Sequence, residues 1–111
     1  MPDCLFCRIV AREIPATIVR EDEHTVAFRD IDPKAPIHVI VIPKSHVGTL
    51  DEATDGEMLG RLLLAARDVA AAEGLTGAYR TVINCGADAG QSVFHLHLHV
   101  LGGRPMAWPP G

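Results

Sequence analysis

The sequence predicts an α+β fold, an antiparallel β-sheet of about five strands with one long and one short helix. Three observations predict it. Turn and breaker residues divide the chain into a short helix, three strands, a helix and two strands, and strands grouped on either side of one main helix belong to that class. Residues 37–42 are a nearly unbroken β-branched run, as a buried central strand requires. Met58, Leu59, Leu62, Leu63, Ala66, Val69 and Ala70 recur at three- and four-residue spacing and build one apolar helix stripe. The 111 residues suit one domain with one core, spanning residues 1–111.

Each element has local support. Residues 4–11 form the short helix, with Leu5, Ile9 and Val10 as apolar positions, and Pro15 ends that region. Residues 17–20 and 25–29 read as strands joined by the polar turn at 21–24. Asp-Pro and Ala-Pro make 30–36 a loop, and Pro43 stops the next strand. Thr54 and Glu57 have capping-box spacing ahead of the long helix, and Gly74 suits the position after its end. Residues 79–84 read as a strand, 85–92 as a loop and 93–101 as the last strand.

Composition bounds the function. Apolar residues make up 48% and charged residues 22%, so disorder is not expected. A net charge of −4 argues against a nonspecific nucleic-acid binder or a binder of anionic membranes. No apolar run has transmembrane length and no signal-peptide pattern occurs, so a cytoplasmic location is expected. Of three cysteines, Cys4 and Cys7 form Cys-x-x-Cys and Cys85 stands alone. In a reducing compartment that pattern favours metal binding or free thiols over a disulfide framework.

The last strand carries the chemistry. His95, His97 and His99 alternate with Leu96 and Leu98, so a strand projects all three imidazoles from one face. A solvated face, a metal site made by the triad alone, and nucleophilic catalysis by one imidazole all compete. Alternate Cα atoms lie about 6.6–7 Å apart, so three rings in a row converge awkwardly on one ion. The preceding loop, Asn84 to Ser92, supplies Gly86 and Gly90 with amide and hydroxyl donors. Such loops can nest an anion, although a plain hairpin loop looks the same. Leading straight into three histidines, it points to an anion held beside an imidazole, as phosphoryl or nucleotidyl transfer requires.

The run from Gly90 to Gly103 resembles the histidine-triad signature of the histidine-triad nucleotide-binding proteins. Arg12-Glu-Ile-Pro-Ala16, Ala27-Phe-Arg-Asp-Ile31, Ala35-Pro-Ile-His38, Val41-Ile-Pro-Lys44 and Met106-Ala-Trp-Pro-Pro-Gly111 are similar to the purine nucleoside phosphoramidase branch. The likeness runs through essentially the whole chain. It implies a hydrolase that cleaves the P–N bond of purine nucleoside 5′-phosphoramidates, with the mixed anhydride of acyl-adenylates as a further substrate, through a nucleotidyl-histidine intermediate. It also implies a homodimer with the sheet extended across both subunits. A dinucleoside polyphosphate hydrolase and a non-enzymatic zinc- and nucleotide-binding regulator are the alternatives.

By position, the resemblance makes His97 the nucleophile, His99 its companion at the phosphate and His38 a supporting residue. Asn84, Gly90, Gln91 and Ser92 line the phosphate site, with Ser92 near the leaving group. Asp30 accepts the ribose hydroxyls, although a turn aspartate before Pro33 has the same spacing. Phe6, Ile9, Ile14, Phe28 and Ile31 form the base pocket; without the family they read as core. Trp108 reaches the partner subunit's site; otherwise it is a packing residue. Cys4, Cys7, His46 and His95 match the zinc ligands of many bacterial histidine-triad proteins, against two free thiols on one helical turn. Cys85 reads as a small buried residue, and His24 has no assigned role.

Overall fold

The computed structural model describes residues 3–111. The chain runs through α1 (Leu5–Val10), β1 (Ile18–Glu21), β2 (Thr25–Arg29), β3 (Ile37–Pro43), α2 (Gly56–Ala72), β4 (Tyr79–Val82) and β5 (Leu98–Gly102). The five strands form one antiparallel sheet in the order β1-β2-β3-β5-β4. This is the α+β architecture expected from the element order. No helix among the described residues is long and apolar enough to cross a membrane.

The strand period explains why β3 is apolar throughout. Val39 and Val41 face α2, where they join Leu62, Ala65, Ala66, Val69 and Ala70 and the β5 residues Leu98 and Val100. Ile40 and Ile42 point the other way and pack with Val26, Phe28 and the α1 residues Phe6 and Ile9. Both faces of the central strand are therefore covered, each by a different helix.

Three details differ from the expectations. The cap of α2 is Asp55, not Thr54: its carboxylate accepts the Met58 N–H at 3.1 Å, and Glu57 pairs forward with Arg61 instead of reaching back. Leu63 is 54% exposed, and Ala65 takes its place in the stripe. The last strand begins at Leu98, not residue 93, because its ladder with β3 stops at the Val41–Leu98 pair although β3 itself runs on to Pro43. The segment before it bonds elsewhere: Leu96 N–H donates to the Val47 carbonyl at 2.6 Å, and the His95 ring donates to the Pro43 carbonyl at 2.8 Å. The alternation survives without the ladder. Leu96 is in the α2-side core, whereas the rings of His95 and His97 meet Phe6 on the opposite side. Gly74, with φ +76°, follows the α2 C-cap as its spacing suggests.

Candidate active site

The open side of the sheet, beside α1, carries the histidines. β5 brings His99 opposite Ile40 of β3, and His38 lies two residues earlier on β3. The rings of His97 and His99 lie 5.0 Å apart, and Phe6 sets its edge against His97 at 5.1 Å.

Backbone groups set the tautomers. The Lys34 N–H donates to His38 Nδ1 at 3.0 Å, which leaves the His38 proton on Nε2. That Nε2–H lies 2.8 Å from His99 Nδ1 and 3.3 Å from an Asp30 carboxylate oxygen. His99 Nδ1 is thus an acceptor, and its own proton sits on Nε2, at the opposite edge of the ring. His97 is arranged the other way. Its Nδ1–H donates to the His95 carbonyl at 2.7 Å, so Nε2 keeps a free lone pair. Burial pushes the pKa values of His38 and His97 below the ordinary imidazole range. Burial, with His97 and His38 close by, lowers His99 to about 4. All three are neutral at pH 7.

Two clefts meet at these rings. The polar one, about 420 Å³, is lined by Asp30, His38, Asn84, Gly90, Ser92, His97 and His99. Gly90 adopts φ +102°, a conformation open to glycine and closed to most side chains. The second cleft, about 350 Å³, is mostly apolar: Phe6, Ile9, Ile14, Phe28 and Ile31 wall it, with Ser92, His97 and His99 at its mouth. Two residues sit apart. Gln91 is buried and turned inward, donating to the Gly48 and Val93 carbonyls and accepting the Gly86 N–H. It braces the loop and does not line either cleft. Trp108 is 81% exposed and lies outside both clefts, with the Arg80 guanidinium 5.8 Å above its ring.

Sequence reasoning missed Asp32 and Lys34, which line the polar cleft from the 30–36 loop. It also missed the Pro43 carbonyl and the Lys34 amide. Backbone groups carry no residue-type signal, so nothing in the sequence points to them. Asp30 lines both clefts, and one of its oxygens already accepts the Asp32 N–H at 2.8 Å.

A second cluster adjoins the first through His95. Cys4 Sγ lies 3.3 Å from His95 Nδ1, Cys7 Sγ 3.3 Å from His46 Nδ1 and 3.5 Å from His95 Nδ1, and the two Nδ1 atoms are 3.3 Å apart. Zn–N bonds of about 2.0–2.1 Å and Zn–S bonds of about 2.3 Å give tetrahedral N–N and N–S edges of roughly 3.3–3.6 Å and an S–S edge of about 3.8 Å, so the four atoms, all within 4.8 Å of one another, suit one such ion. His95 Nε2–H is committed to Pro43, which turns the Nδ1 lone pair into the cluster. Burial and the neighbouring Cys4 raise the Cys7 thiol pKa, and a cation would offset that cost. Asp30, His38 and His99 also converge, but 2.8 Å between the two ring nitrogens is a hydrogen bond, shorter than two ligands of one ion would stand.

The model of the HIT domain family matches residues 11–106. An uncharacterized HIT-like protein of Synechococcus elongatus is 56% identical, over 98% of this chain and 97% of the relative. Among solved structures, a HIT family hydrolase from Legionella pneumophila superposes with a TM-score of 0.95 at 51% identity, covering 98% of this chain and 100% of that one. A histidine triad nucleotide-binding protein from Candida albicans gives a TM-score of 0.85 at 30% identity, covering 96% and 83% respectively.

Proposed function

The chain belongs to the HIT domain family, and we propose that it is a nucleotide hydrolase cleaving the P–N bond of purine nucleoside 5′-phosphoramidates. The observation that carries this reading is the His97 tautomer. A buried, neutral imidazole with Nδ1–H held by the His95 carbonyl presents Nε2 as a nucleophile where an apolar and a polar cleft meet. The Legionella neighbour is named a hydrolase and the Candida neighbour a nucleotide-binding protein, and both descriptions suit the arrangement.

In this reading the purine lies between Phe6, Ile9, Ile14, Phe28 and Ile31, and Asp30 accepts the ribose hydroxyls. The phosphate occupies the polar cleft, where His99 Nε2–H, the Asn84 amide and the Ser92 hydroxyl donate to its oxygens. His97 Nε2 attacks the α-phosphorus and forms a P–N bond. The scissile P–N bond breaks, its electron pair stays on the amine, and the amine takes a proton that Ser92 relays from solvent. The imidazolium formed on His97 is stabilised by its Nδ1–H bond to the His95 carbonyl. Water then attacks phosphorus, the electron pair returns to His97 Nε2, one water proton goes to solvent, and the nucleoside monophosphate leaves. His38 keeps His99 in the donor tautomer. Gln91 contributes by holding the loop.

We assign zinc to Cys4, Cys7, His46 and His95. With all four positions filled by protein, the ion would be structural, joining α1 to the loop after β3 and to the histidine segment. The functional unit is a homodimer that extends the sheet, with Trp108 reaching the partner's site.

Adenosine 5′-phosphoramidate hydrolysis tests the activity. Wild type should release AMP and amine. His97→Ala should lose at least about 10³-fold in kcat, the order seen when a nucleophile is removed. Binding without turnover by the wild type, or turnover retained by His97→Ala, would overturn the reading.

A further inference from the structure

Helix α1 belongs to both clusters. Cys4 caps it and Cys7 lies within it, while Leu5, Phe6 and Ile9 wall the apolar cleft. Phe6 also touches the rings of His95 and His97 edge-on, at 6.0 and 5.1 Å. A helix of six residues does not hold its shape in water, because nucleation costs more than so few bonds return. Tertiary anchors must place it. Among the described residues every backbone hydrogen bond of α1 stays within residues 4–13, and none reaches the sheet. What remains is the packing of Phe6, Ile9 and the half-buried Val10 and the convergence of Cys4 and Cys7 on His46 and His95. His95 supplies a further link, since its Nδ1 faces the cysteines while its carbonyl orients the His97 ring.

We propose that metal at Cys4, Cys7, His46 and His95 builds the apolar wall of the neighbouring cleft, so that metal and nucleotide bind cooperatively. The inference rests on the zinc and nucleotide readings above. The ion clamps both sulfurs of α1 to residues fixed on the sheet side, and so fixes Leu5, Phe6 and Ile9 against Phe28 and Ile40. Without it, α1 keeps only the apolar contacts of Phe6, Ile9 and the half-buried Val10, and ordering that wall becomes a cost charged to nucleotide binding. Linkage then requires the reverse effect: bound nucleotide tightens the metal by the same factor.

Calorimetric titration with AMP, the product of the proposed reaction, tests this on zinc-loaded wild type, chelator-stripped wild type and His46→Ala. His46 is exposed and lines neither cleft, so its replacement removes a ligand without touching the nucleotide's walls. Stripped wild type should bind AMP about fivefold or more weakly, within the usual range of coupling between sites. His46→Ala should match the stripped protein and show no further response to chelator. Saturating AMP should tighten zinc by the same factor in competition with a chromophoric chelator, and amide exchange over residues 8–11 should accelerate on metal removal. A zinc-loaded wild type that does not bind AMP would sink the nucleotide reading and this inference with it. A wild type that takes up no zinc would sink the metal reading and the inference. Equal AMP affinity in loaded and stripped protein, with unchanged exchange in α1, would overturn the inference alone.

Discussion

His99 takes its character from neighbours distant in the chain. The Lys34 amide fixes His38, and His38 fixes His99. Burial first, then His97 and His38, lower its pKa to about 4 from an ordinary 6.5. The ring should therefore stay neutral well below the usual imidazole range. NMR titration of its ring carbons should show no step between pH 8 and 5.5, and a midpoint near 6.5 would contradict the geometry. The linkage has a definite sign. On acidification the unfolded chain takes up this proton first, so the contribution to stability is complete above about pH 6.5 and drains away as pH falls toward 4. The alternation of His95, His97 and His99 with leucines was legible, because side-chain type and spacing carry it. The division of labour among the rings was not, because it depends on the Pro43, His95 and Lys34 backbone groups, two of them supplied from far along the chain.

At the scale of elements, existence and order were easier to read than ends. Helix α2 was plain from its stripe, yet its start was misplaced by one residue. Thr54 and Asp55 are both good caps, and only the backbone decides between them. Asp55 is extended, at φ −94° and ψ 97°, and its carboxylate reaches the Met58 N–H. Asp55→Ala should cost about 1 kcal/mol of unfolding free energy in urea, and Thr54→Ala less than half of that. The reverse order would restore the capping box. The same limit shortened the last strand. A β-strand is defined by its partner, and before Leu98 the chain leaves β3 to bond elsewhere, Leu96 N–H to the Val47 carbonyl and the His95 ring to the Pro43 carbonyl. The shared face of the histidines, opposite Leu96, needs only the local period, so it is legible in the sequence where the end of the strand is not.

The whole molecule leaves one flank uncovered. β1 and β4 are the two edge strands. The Arg20–Asp68 ion pair, at 3.2 Å, ties one side of α2 down over β1. Leu63 stands roughly a quarter turn from the centre of the buried stripe, on the side away from Asp68, and therefore on the side of β4. An exposed leucine beside an unpaired strand edge is what a second copy would cover, with the ladder continuing across β4 and Leu63 packing against the neighbouring helix. Leu64, also exposed, lies beside Arg61 and Asp68 on the other flank and would stay in solvent. Light scattering on the purified chain should give twice 11.9 kDa. Leu63→Arg should shift the equilibrium toward the monomer by at least about tenfold, since burying an unpaired charge costs more than 1.4 kcal/mol, whereas Leu64→Arg should leave it unchanged. Dissociation by Leu64→Arg and not by Leu63→Arg would place the interface on the β1 side, and a monomeric wild type would remove it altogether.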